Sequence, residues 1–245
     1  MARGNRRTRV AREEDNVFNF NKFVVQQKEK HQVTLRPKGE KQREYVDLLT
    51  DWEKLLIFAT GPAGTGKTML AVQAGLKALK NKEIQKLIIA RPAVGVDGEQ
   101  HGFLPGSLLE KLLPWTTPIM DIIKEYYSPK EVLALLADET IELASMSLLR
   151  GRTFKNSWII FDEAQNASVN SMKTVLTRLG TDSKMIVTGD LNQIDRQFNT
   201  DNGLLDFINR LAVTDSNSIS MVKFSGEDIQ RHPIVTEVLT MYGEI

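Results

Sequence analysis

Residues 61–68 read GPAGTGKT, a glycine followed after four residues by Gly-Lys-Thr. That spacing suits one task, holding a chain of phosphates. Phosphates need many N–H donors converging on a point. Gly61, Gly64 and Gly66 let the backbone curl so that successive N–H groups turn inward, and Pro62, Ala63 and Thr65 complete the loop. A helix opening at Lys67, Thr68 and Met69 adds the positive end of its dipole. The Lys67 ammonium is placed to reach the β- and γ-phosphates, and the Thr68 hydroxyl to ligate Mg²⁺. The pattern predicts ATP and Mg²⁺ as the ligands.

A second cluster follows in WIIFDEAQN, residues 158–166. An apolar run that ends in Asp-Glu supplies two carboxylates with separable jobs. Asp162 at the strand end can hold Mg²⁺ through its water shell. Glu163 can take a proton from an attacking water. A third run, MIVTGDLNQ at 185–193, brings Asp190 and Gln193 to the end of another strand. Parallel neighbours deliver their carboxyl ends to the same sheet edge, which would set Gln193 beside the γ-phosphate as a neutral donor and acceptor.

The surrounding pattern supplies elements to position these groups. Leu55–Thr60, Lys86–Arg91, Ile141–Ala144, Ser157–Phe161, Lys184–Thr188 and Ser218–Phe224 are short apolar runs of the kind buried in parallel sheets. Between them, helical spacing predicts helices over Lys41–Leu49, with Tyr45, Leu48 and Leu49 on one side, and over Met69–Lys80, with Met69, Val72, Leu76 and Leu79 inward. Leu108–Tyr127 reads as a helix interrupted at Pro114 and Pro118, Pro129–Ala137 as another. A further helix after 161 places Val169, Met172, Leu176 and Leu179 inward. The alternation predicts an α/β fold, a mainly parallel sheet with helices on both faces. Residues 37–245 form its one P-loop domain, and residues 1–36 a basic flexible arm.

Composition narrows the classes. The 245 residues are 41% hydrophobic and 26% charged with a net charge of +1, so the chain as a whole is no polycation. Basic charge is local: Arg3, Arg6, Arg7, Arg9 and Arg12 crowd the start without an acidic residue among them. They could contact RNA or single-stranded DNA through phosphates, as could Arg91, Arg150, Arg152 and Lys155 on a track, with Trp115, Tyr126 and Tyr127 stacking bases. With no cysteine there are neither disulfides nor thiolate metal sites. No apolar run approaches membrane-spanning length and no secretory pattern opens the chain, which reads as cytoplasmic with no membrane partner.

Several stretches together resemble the PhoH-like proteins, P-loop ATPases of bacteria and their phages. They are PKGEKQREY (37–45), GPAGTGKT (61–68), ARPAV (90–94), GFLPG (102–106), LLRGRTFKNSWIIFDEAQN (148–166), MIVTGDLNQID (185–195) and IQRHPIV (229–235). The family is similar in its core to the first ATPase domain of superfamily 1 helicases, which implies a RecA-like fold. The resemblance further implies that Gln42 reads the adenine edge, that Gln193 couples the γ-phosphate to nucleic acid, and that Arg231 serves as an arginine finger or sensor. It implies ATP binding and, for some members, RNA helicase activity and assemblies of six.

Three readings follow. The first is an ATPase motor on RNA or single-stranded DNA. A lone domain lacks the arginine that a second domain would supply, so this reading includes a hexameric ring with Arg231, then Arg210 or Arg178, acting in trans. The second is an ATP-dependent switch or assembly scaffold. The third is a small-molecule kinase, which Glu163 and the Asp190–Gln193 pair disfavour because they suit water as the acceptor.

Overall fold

A computed structural model describes residues 32–92, 108–194, 201–230 and 233–242. In chain order the elements are α1 (Glu40–Thr50), β1 (Leu56–Thr60), α2 (Lys67–Lys80), β2 (Lys86–Arg91), α3 (Leu108–Lys124), α4 (Pro129–Ala137), β3 (Ile141–Ser145), β4 (Ser157–Phe161), α5 (Val169–Leu176), β5 (Lys184–Gly189), α6 (Gly203–Leu211), β6 (Ile219–Lys223) and α7 (Pro233–Met241). The strands form one six-stranded sheet in the order β3-β2-β4-β5-β1-β6. Every pairing is parallel. Each expected strand is present within a residue or so of its boundary.

Alternation along the strands fills two cores. Ile57, Ala59, Leu87, Ile89, Trp158 and Ile160 face α1, α2, α3 and α4. Their neighbours Phe58, Ile88, Ile159 and Phe161 face Met172 and Val175 of α5 and Leu204 of α6. The sheet is therefore covered on both faces, and β1, β4 and β5 are buried along their whole length. This is the RecA-like α/β arrangement, with a strand, β5, set between the P-loop strand β1 and the Asp-Glu strand β4.

The structure departs from the sequence expectations in four places. Helix α3 runs unbroken through Pro114 and Pro118. The two prolines are one turn apart, so their missing N–H groups fall on one helix face. On α2, Met69 is exposed, whereas Leu70, Ala71, Ala74 and Ala78 join Val72 and Leu76 in the interior, because sheet, α1 and α3 enclose it on several sides. On α5 the buried residues are Met172 and Val175, while Leu176, and Leu179 beyond the helix end, pack only partly. Val33, assigned to the arm, is 4% exposed in the core, so the packed domain begins before Pro37. Residues 1–31, which carry the arginines of the arm, lie outside the described residues. No helix among the described residues is long and apolar enough to cross a membrane.

Candidate nucleotide site

All the chemistry gathers at the carboxyl edge of the sheet, where β1, β5, β4 and β2 end side by side. β1 runs into Gly61, β5 into Asp190 and β4 into Asp162, and β2 ends at Arg91. A pocket opens there, bounded by Gly66, Lys67, Thr68, Asp162, Glu163 and Gln193.

The loop between β1 and α2 is curled by glycines in the left-handed region. Gly61 has φ +135°, Gly64 +86° and Gly66 +83°. A Cβ on Gly61 would lie 2.4 Å from the Phe224 carbonyl oxygen, so space as well as conformation requires glycine. Helices α4, α5 and α6 are capped by Ser128, Ser168 and Asn202 side chains. Helix α2 has no side-chain cap, so its first N–H groups are left for a ligand at the positive end of the dipole. Thr65 is fully buried, its hydroxyl donating to the Pro62 carbonyl at 3.0 Å.

Lys67 reaches back over this loop. Its ammonium donates to the Gly61 and Pro62 carbonyls, each at 2.6 Å, and lies 3.2 Å from the Thr65 hydroxyl. Burial pushes its pKa below the ordinary lysine value, and Asp190, Asp162 and Glu163 pull the other way. The charge is thus held over the loop by neutral carbonyl and hydroxyl acceptors, weaker partners than an anion would be.

Asp162 is 3% exposed. Its Oδ1 accepts from the Thr68 hydroxyl at 2.8 Å and from the Thr188 hydroxyl. Its Oδ2 accepts from Arg91 Nη2 at 2.6 Å and Nε at 3.0 Å. Glu163 sits at φ +54°, unusual for a residue with a side chain and a feature of strained functional positions. Gln165 Nε2 donates to Glu163 Oε2 at 2.6 Å, and Gln165 Oε1 accepts from the Asp190 amide at 3.1 Å. The carboxylate that would act as base is thereby tied to the loop that ends at Gln193.

A family profile described as "PhoH-like protein" matches residues 34–243. The chain belongs to the PhoH-like family. It is 40% identical over 211 residues to a PhoH-like protein of Mycobacterium leprae, covering 86% of this chain and 59% of that one. It is 41% identical over 211 residues to a PhoH-like protein of Bacillus subtilis, covering 86% and 65%. The chain therefore spans about three-fifths of the length of these relatives. Among solved structures, the Sulfolobus solfataricus SWI2/SNF2 ATPase core domain is similar at 17% identity and TM-score 0.42, over 80% of this chain and 39% of that one. The PhoH-like family and the P-loop architecture together support a nucleotide-binding site.

Within this PhoH-like domain the P-loop, Asp162, Glu163 and Gln193 meet as their spacing implies. Gln42, taken from the family resemblance, is 2% exposed. Its carbonyl oxygen accepts from the Lys38 amide at 2.8 Å and its Nε2 donates to the Thr65 carbonyl at 2.9 Å, strapping α1 to the P-loop. A carboxamide treated this way keeps one N–H and one lone pair for a base. Arg231 and the GFLPG stretch lie outside the described residues, although the Gln230 amide just before Arg231 donates to the Gly64 carbonyl at 2.9 Å.

The arginines considered for a basic track do not share one surface. Arg91 lines the pocket at the carboxyl edge, whereas Arg152 and Lys155 line a hollow at the opposite sheet edge with Gln85 and Ser157. Arg152 is spent on Glu142 and on the Phe154 ring. Arg178 donates to the Thr174 and Arg152 carbonyls, and Arg210 pairs with Asp206. Tyr126 accepts from Gln73 and Lys80 covers the Tyr127 ring, so both tyrosines fasten the end of α3 to α2. The Trp115 side chain lies outside the described residues.

Residues that sequence reasoning passed over complete the pocket. Pro118 and Ile122 of α3 give it an apolar wall. Thr188 donates to Asp162, Gln165 donates to Glu163, and Arg91 reaches both carboxylates. For Thr188 and Gln165 the signal was present, since both sit within the stretches already singled out.

Proposed function

We propose that this domain binds ATP with Mg²⁺ and hydrolyses the β–γ phosphate bond with water. The observation that carries the proposal is the adjacency of the Thr68 hydroxyl and Asp162 Oδ1, 2.8 Å apart at the mouth of the uncapped helix α2. One hydroxyl beside one carboxylate, with phosphate oxygens nearby, is the donor set Mg²⁺ takes at such sites. When bound, Mg²⁺ would draw negative charge from the β- and γ-phosphate oxygens.

The chain's own residues do the rest. The loop amides of residues 63–66 and the start of α2 grip the phosphates, and Lys67 turns from its loop carbonyls to the β/γ bridge. Glu163 accepts the proton of the attacking water as its oxygen bonds to the γ-phosphorus, and the bond to the β–γ bridging oxygen breaks to give ADP and phosphate. Gln193 orients that water or senses the phosphate. Gln42 holds the P-loop in register and offers its remaining donor and acceptor to adenine.

We extend the proposal to coupling. Gln165 links Glu163 to the Asp190–Gln193 loop, which gives a single-stranded RNA or DNA contact at that loop a route to the base. A homo-oligomeric ring with Arg231 acting in trans belongs to the same reading. Steady-state ATP hydrolysis with and without single-stranded RNA tests the coupling. Stimulation supports a nucleic-acid-coupled motor, and turnover indifferent to RNA and to single-stranded DNA favours the switch or scaffold. A mass of 27.6 kDa in the presence of ATP would exclude the ring.

A further inference from the structure

Arg91 is not a bystander at the strand end. Ala90 pairs with Phe161 across β2 and β4, and the Asp162 amide donates to the Ala90 carbonyl at 2.8 Å, so Arg91 emerges beside Asp162 by register. Its guanidinium meets Oδ2 through two nitrogens, at 2.6 and 3.0 Å, and Nη2 lies 3.5 Å from Glu163 Oε1. The Arg91 side chain is 23% exposed and that of Asp162 4%, so water screens the pair weakly.

A carboxylate has about four acceptor positions. On Asp162 all four are taken, by two hydroxyls on Oδ1 and two guanidinium N–H groups on Oδ2. A metal ion whose water shell is to be held by Asp162 must displace one of these donors. The Thr68 and Thr188 hydroxyls are neutral, and Thr68 can turn its oxygen to a metal while still donating to Asp162. Arg91 alone among the three donor residues carries a positive charge that repels a dication, so Arg91 is the one that leaves.

We propose that Arg91 is a resident counter-cation. It fills the charge of Mg²⁺ on Asp162 when no nucleotide is bound, makes metal binding depend on the nucleotide phosphates, and on displacement stays in the pocket beside Glu163 at the phosphate end. Arg91 is on this account a positioning residue that acts through Asp162. The inference rests on the reading of the pocket as a Mg²⁺–ATP site, but its test does not read turnover.

Manganese, followed by the electron paramagnetic resonance of the free ion, is titrated into the nucleotide-free chain. Arg91→Gln, which keeps hydrogen-bond donors but no charge, is expected to bind Mn²⁺ on the order of tenfold more tightly than wild type. Arg91→Lys, which restores the charge, is expected to return to the wild-type value. A folded Arg91→Gln chain, judged by circular dichroism, that binds Mn²⁺ no more tightly than wild type overturns the proposal.

A second measurement uses the wild-type chain alone. The Arg91 Nε–H resonance, assigned by its loss in Arg91→Lys, is expected to shift with Mg²⁺ plus a non-hydrolysable ATP analogue and to stay put with the analogue in EDTA. A resonance unmoved by the Mg²⁺ complex overturns the proposal even if Arg91→Gln does not fold. A chain that passes both tests yet never hydrolyses ATP would defeat the ATPase reading and leave this one standing.

Discussion

Two lysines are buried among the described residues, and they serve opposite ends. Lys67 is 8% exposed at the carboxyl edge of the sheet, and Lys184 is 0% exposed at the start of β5 near the amino edge. Each ammonium is surrounded by oxygen acceptors of its own chain. Lys184 donates to the Leu48, Leu49 and Asp51 carbonyls at 2.8, 2.8 and 2.7 Å, closing the carboxyl end of α1. The rings of Trp52 and Trp158 lie 5.6 and 5.5 Å from it and complete the enclosure. Lys67 has an open pocket and three carboxylates around it; Lys184 is wholly enclosed and feels the Asp51 carboxylate. The same cation on the same kind of acceptor is a phosphate hand in one place and a permanent helix clasp in the other. What separates them is whether anything can replace the carbonyls.

The sharpest way to break this comparison is to substitute both with methionine. Lys67→Met should abolish turnover and weaken ATP binding at least a hundredfold by equilibrium titration, with a melting temperature unchanged or raised, because a functional buried charge is relieved. Lys184→Met should leave three carbonyls without a donor and lower stability by about 1–3 kcal/mol in urea unfolding, with ATP affinity within twofold of wild type. If the two variants lose stability and binding in parallel, the division of roles is wrong.

Helix α1 joins the two regions, fastened by Lys184 at one end and by Gln42 to the P-loop near the other. Gln42→Ala should weaken ATP binding about five- to tenfold, the effect of one or two hydrogen bonds, and narrow any preference for ATP over GTP. Loss of stability without either change would reduce Gln42 to a strap.

A further effect is one of pH. Burial lowers the Lys184 pKa from 10.5 to about 8. Between those values the unfolded chain binds the proton that the folded chain has released, so this group makes unfolding free energy rise with pH from about 8 to 10.5. Urea unfolding of wild type minus Lys184→Met should grow across that window and be flat below it. A difference that shrinks instead would mean that the ammonium is favoured by its carbonyls over the neutral amine.

The same two regions mark how far the sequence could be read. At the carboxyl edge each motif names its own chemistry, because GPAGTGKT and FDE put donors and acceptors next to one another along the chain. The parallel strands were legible too, since full burial leaves unbroken apolar runs. Arg91 was not assigned to the site, because its contact with Asp162 exists only through the β2–β4 register, which no spacing along one segment encodes. Lys184 was hidden for the same reason, as its acceptors lie more than 130 positions away on α1. Gln42 came from family likeness and not from its neighbours. Pro114 and Pro118 misled locally, because the helix they interrupt in a sequence pattern continues through both.

The central claim is that Glu163 activates water at a site built by Lys67, Thr68 and Asp162. The most direct test is to measure ATP hydrolysis and equilibrium ATP binding with Mg²⁺ on wild type and Glu163→Gln together. We expect wild-type turnover, a loss of about 10²–10⁴ in kcat in the variant, and binding retained. Equal turnover in the two proteins, or a wild type that binds ATP without ever hydrolysing it, would contradict the account.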